Sequence, residues 1–72
     1  MVHYEVIIGN SYGSHTREQM PSREAALARS AEWRACKLYD EDGALIGPAY
    51  TATAYEVQVD LETMEVTRTP LE

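Results

Sequence analysis

Two runs of strict alternation, separated by a single helix-forming stretch, constrain the fold of this chain more than any other feature. Val2, Tyr4, Val6 and Ile8 share one side of the first run, and Tyr55, Val57, Val59 and Leu61 share one side of the second. A period of two belongs to half-buried strands. Between the runs only Ala25 to Ala35 is dense in strong helix formers. Pro21 and Ser22 mark the start of that helix, with Ser22 as the N-cap accepting from free backbone N–H groups and Glu24 in the first turn. A chain of 72 residues buries only about 60% of its unfolded surface and holds one core, so the one helix must cover one face of a sheet.

The intervening segments complete the pattern. Gly9-Asn10-Ser11-Tyr12-Gly13 has turn chemistry, and Ser14 to Gln19 can return from it as a polar second strand. Asp42-Gly43 separates Leu38-Tyr39 from Leu45-Ile46 and predicts a hairpin with a type I′ turn. Gly47-Pro48 breaks or bends the second arm of that hairpin. A turn over residues 61–64 leads to a last strand, with Met64 and Val66 expected inward. Met64 stands where such loops favour glycine, so either a mildly strained positive φ or another turn type is expected there. The expected fold is α+β: a two-layer domain with one helix (about 22–36) on a mostly antiparallel sheet of four to five strands, in the order β(β)αββββ. Residues 1–70 form a single small domain, and the final Leu71-Glu72 looks like a cloning-tag remnant. The second sheet face, carrying His3, Glu5, Ile7, Tyr39, Glu56, Gln58, Glu65 and Thr67, is expected to be solvated or used for contact.

At about 100° per residue, Leu27, Ala28, Ala31 and Ala35 gather on one side of the helix and are expected to face the sheet. Trp33 then falls opposite them, next to Ala26 and Ser30 and among Arg23, Arg29 and Arg34. Two roles compete for this group. Arg23, Arg29, Trp33 and Arg34 can form a docking surface for a protein partner, since Trp and Arg are enriched at binding hot spots. Alternatively the helix is rotated, or the Tyr12 loop folds over Trp33, which makes Trp33 a rim residue of the core with solvated arginines around it.

Charge and chemistry narrow the function classes. The net charge is −6, which argues against binding the phosphate backbone of nucleic acid. Residues 17–37 nevertheless hold five of the six basic side chains against three acids, while residues 38–72 hold Arg68 alone against eight acids, so the two signs sit on different elements. Direct nucleic-acid contact would have to use Arg23, Arg29, Arg34 and Lys37. Cys36 is alone, so no internal disulfide forms and a reducing, cytoplasmic setting is expected. No apolar stretch is long enough to span a membrane. His3 and His15 are the only imidazoles and, with Cys36, show no metal-ligand spacing. Asp40-Glu41-Asp42-Gly43 lacks the spaced ligands of a calcium loop, and Gly9 and Gly13 do not form a phosphate loop. Neither a catalytic site nor a cofactor is expected.

The stretch "SREAALARSAEW" followed by "KLYDEDGALI" resembles small uncharacterised bacterial and phage or prophage reading frames, in which a helix feeds a hairpin with an Asp-Gly turn. The resemblance implies an accessory protein that acts by binding. The expected function is a small non-enzymatic interaction module, homodimeric because so small a core often needs a staple. The alternative is an acidic inhibitor that presents Asp40, Glu41, Asp42, Glu56, Asp60 and Glu62 to a nucleic-acid-binding protein.

Overall fold

The computed structural model describes all 72 residues. Strands β1 (Val2–Asn10) and β2 (His15–Met20) form a hairpin, helix α1 (Arg23–Ala35) follows, and strands β3 (Lys37–Tyr39), β4 (Leu45–Pro48), β5 (Tyr50–Val59) and β6 (Val66–Pro70) complete the chain. β2, β1, β5 and β6 lie side by side in that order in one antiparallel sheet, while β3 and β4 form a separate two-stranded ribbon. The α+β class and the element order agree with the expectation. The polar segment after Gly13 is indeed a strand, because it pairs along β1 from Tyr4–Met20 to Gly9–His15.

Three side chains shape the hairpin loops in one way. The Asn10 carboxamide oxygen accepts from the N–H groups of Tyr12 and Ser14. The Asp40 carboxylate does the same for Asp42 and Ala44, and that of Asp60 for Glu62 and Thr63. Each loop then closes through one residue at positive φ: Gly13, Gly43 or Met64. Asp42 keeps a negative φ, so the expected type I′ turn is replaced by a longer loop that Asp40 caps. Met64, at φ 60°, occupies the left-handed region where a side chain is disfavoured.

The core lies between α1 and the middle of the sheet and consists of Val6, Ile8, Ala26, Ala52 and Ala54, with Tyr4, Met20, Leu27, Trp33, Tyr50 and Leu71 packed around it. Two expected phases are reversed. On the helix, Ala26 and Ser30 are the buried residues, whereas Ala28, Ala31 and Ala35 are exposed. On β5, Ala54 pairs with Val6 and Ala52 with Ile8, and directly opposed residues share a face. Glu56 and Gln58 therefore lie on the helix side, and Tyr55, Val57 and Val59 on the open side. Small residues win the inner positions because Ala26 and Ser30 against Ala52 and Ala54 let helix and sheet approach closely. Met64 and Val66 are exposed rather than inward, since Val66 pairs with Val59 on the open face. Leu71, expected outside the domain, packs on the core and donates its N–H to Ala54 O.

The molecule measures 55 × 24 × 16 Å and has a radius of gyration of 14.8 Å, against about 11 Å for a compact chain of this length. The β3–β4 ribbon accounts for the difference. Its strands pack on each other and hardly at all on helix or sheet. At about 3.3 Å per residue, the ten residues of β5 and the six from Cys36 to Glu41 together reach about 53 Å, close to the long dimension only if the ribbon extends the sheet lengthwise. No helix is long and apolar enough to cross a membrane.

Candidate interaction site

Of the four residues proposed from the sequence as a contact surface, Arg29 and Trp33 are brought together on Glu18, while Arg34 and Arg23 are placed apart from them. Trp33 is half-buried and meets the Tyr50 ring edge-on at 4.8 Å between centroids. Its indole N–H donates to Glu18 Oε1 at 2.9 Å. Glu18 reaches this point because it pairs with Val6 on the helix side of the sheet. Arg29 donates to both oxygens of the same carboxylate, at 2.9 and 3.2 Å, and to Glu32 at 3.0 Å, while its guanidinium stands 5.0 Å from the centre of the Trp33 ring. Arg34 donates to Ala52 O and to the carboxylate of Glu72. Of the four, Arg23 alone is exposed and makes no side-chain hydrogen bond or ion pair. Tyr50, rather than the Tyr12 loop, covers Trp33, for Tyr12 is 92% exposed. Hydrogen bonds from Arg29 and Trp33 hold the Glu18 carboxyl below the usual carboxylate range against the effect of burial, and Glu18 and Glu32 in turn raise the pKa of Arg29.

A second charged group occupies the open sheet face, where no helix covers it. Glu5 is 7% exposed and Val57 beside it 1%. Arg68 and His3 each donate to the Glu5 carboxylate at 3.2 Å, and Arg17 stands at 4.0 Å. Burial pushes the Glu5 carboxyl up, but the hydrogen bonds of Arg68 and His3 and the charges of Arg68 and Arg17 outweigh it and leave the carboxyl below its usual range. His3 must carry its proton on Nε2 to make this bond, which leaves the buried Nδ1 without a partner. Val57 is paired across the strands with His3 on one side and Arg68 on the other, so the two side chains that bond Glu5 also flank the buried valine where no second layer is present. An open groove of about 450 Å³ runs beside them, lined by Ile7, His15, Thr16, Arg17 and Arg68.

The ribbon is the third candidate, and sequence reasoning predicted it as a hairpin without seeing that it stands free. Leu45 and Ile46 are 60% and 62% exposed, with Leu38 and Tyr39 across from them also exposed. An isolated two-stranded ribbon is marginal in water at best, and contiguous exposed apolar side chains mark contact surfaces. Lys37 sits at its root and Asp40, Glu41 and Asp42 at its tip. The six carboxylates considered as an acidic surface are consequently divided: three lie at the ribbon tip, Asp60 and Glu62 lie in the turn at the far end of β5, and Glu56 lies within β5. Cys36, the C-cap of α1, is exposed and directs its Sγ to Glu32 O at 3.6 Å. No three of the His, Cys, Asp and Glu side chains group closely enough to hold a metal ion.

Fold and surface together define a small two-layer α+β domain from which a β-ribbon arm projects. The chain matches no protein-family model, no curated protein and no solved structure.

Proposed function

We propose that the chain is a small protein-interaction module that acts by contact rather than catalysis, with the β3–β4 arm as its contact surface. The observation that carries this is the placement of Leu38, Tyr39, Leu45 and Ile46 on a ribbon that the rest of the fold leaves uncovered. Covering such a ribbon removes apolar area from water and stabilises its hydrogen bonds at once, a gain that only a partner can supply. The Arg29–Trp33 pair belongs to the domain's own packing in this account, as the Glu18 bonds indicate. A cytoplasmic accessory role of bacterial or phage type fits a binding module with a single free thiol.

The test compares wild type with Leu38→Lys/Leu45→Lys in pull-downs from the native host, counting the chain's own second copy as a partner. The variant keeps the wild-type circular dichroism, because neither side chain belongs to the core, and loses the captured partners. An unchanged set of partners with the folded variant would remove the arm from the account.

A further inference from the structure

We infer that the arm's partner is a second copy of this chain, joined through the outer edge of β3 about a two-fold axis at Leu38. The inference rests on the arm being the contact surface, and it assigns the edge, the register and the occupant.

The edge follows from the hydrogen bonds within the ribbon. Cys36 O accepts from Ala49 N, and Asp40 N donates to Ala44 O. Lys37 is opposite Pro48 and Leu38 opposite Gly47. Alternation in an antiparallel pair then turns the backbone groups of residues 36, 38 and 40 toward β4 and those of Lys37 and Tyr39 outward. The outer edge of β3 therefore presents two complete sets of N–H and C=O groups. The outer edge of β4 does not, because Pro48 has no N–H to offer at its outward position. The register also slips where Leu38 faces Gly47 but Tyr39 faces Leu45, which leaves Ile46 as an extra residue. Proline and a bulge are the devices that protect an edge from pairing. In the main sheet, β2 is polar along its length and β6 ends in Pro70. The β3 edge combines two complete outward backbone sets with exposed apolar side chains on both strands of a ribbon that nothing else covers.

The register follows from symmetry. The extended segment of β3 is bounded by the bonds at Cys36 and Asp40, and its midpoint is Leu38. An antiparallel pairing of two copies about that midpoint is isologous. It sets Lys37 of each copy opposite Tyr39 of the other, as a hydrogen-bonded pair, and Leu38 opposite Leu38 of the second copy, as a non-hydrogen-bonded pair. Charge agrees with this register. The basic root of one arm lies along the acidic tip of the other, which brings Lys37 beside the loop that carries Asp40, Glu41 and Asp42 of the second copy. Other registers either separate these charges or run β3 past the end of its extended segment.

The test is site-directed crosslinking in a Cys36→Ser background. Leu38→Cys forms an intermolecular disulfide rapidly under mild oxidation, because opposed non-hydrogen-bonded residues bring their Cβ atoms within disulfide range. Leu45→Cys and Ile46→Cys, on the protected strand, crosslink no faster than Thr63→Cys in the far turn. As a check independent of cysteine, Lys37→Glu and Glu41→Lys each weaken dimerisation by about tenfold, since each contact occurs twice across the axis, and the double swap restores it. Leu38→Cys crosslinking at the Thr63→Cys rate, or a double swap no better than the single variants, overturns the inference. If partners other than a second copy are still captured by wild type and lost in Leu38→Lys/Leu45→Lys in that case, the arm remains the contact surface. If they are not, both conclusions fall.

Discussion

Glu18 ties the helix to the edge of the sheet through two side chains at once, and its removal tests how the Trp33 corner is built. Glu18→Ala leaves the Trp33 indole N–H without its acceptor. It should lower stability by about 1 kcal/mol in urea melts, most of it from that bond, because the Arg29 pair is more than a third exposed on the arginine side and screened by solvent. Met64 makes the opposite prediction. Its φ of 60° suits glycine and its side chain is exposed, so Met64→Gly should raise stability by about 0.5–1 kcal/mol in a thermal melt. The Met64 position was readable in the sequence, because the loop requires a left-handed residue where no glycine occurs. The Glu18 contacts were not readable, since a Glu on a polar strand gives no sign of which helix side chains will reach it. The carboxyls of Glu5 and Glu18 both titrate below their ordinary range when folded. In the acid range the unfolded chain therefore binds more protons than the folded one. Their contribution is fully present above the unfolded carboxyl pKa of about 4.3 and is lost as pH falls through the lower folded values. The urea midpoint should fall below about pH 4.5, and the fall should be shallower in Glu18→Gln.

At the scale of elements, what the sequence disclosed was kind and order, and what it concealed was phase. The Ser22 cap is as expected, its hydroxyl accepting from Ala25 N–H at 3.1 Å, and the alternation of β1 directs Val6 and Ile8 into the core. The alternation of β5 misleads, because its larger set, Tyr55, Val57 and Val59, lies on the open face while Ala52 and Ala54 meet the helix. Size alone is a poor guide to facing where a short helix lies close on a sheet. Close approach needs small residues, and Val57 is buried on the open face between its cross-strand neighbours His3 and Arg68 without a second layer. The same cause displaced the helix prediction, for Ala26 and Ser30 are the positions that touch the sheet. The arm has a testable consequence at this scale. Its amides should exchange with solvent hydrogen far faster than those of β1 and β5 in dilute solution, and should slow as concentration rises. Arm amides as protected as those of β1 in the dilute chain would mean that the ribbon is not free.

The whole molecule joins a small, dense body to an apolar ribbon that the body does not use. A radius of gyration of 14.8 Å in a chain of 72 residues follows from that division. The separation of the basic helix segment from the acidic remainder was evident in the sequence. The arrangement of the acids at two distant ends was not, because it depends on the ribbon continuing the long axis of the sheet. Sedimentation velocity over a concentration series tests the central claim most directly, with wild type and Leu38→Lys/Leu45→Lys run side by side. The account predicts that the wild-type species grows from the 8.1 kDa chain toward its dimer as concentration rises, while the arm variant stays a folded monomer throughout. Equal association by the variant, or a wild-type chain that remains monomeric at every concentration, would contradict it.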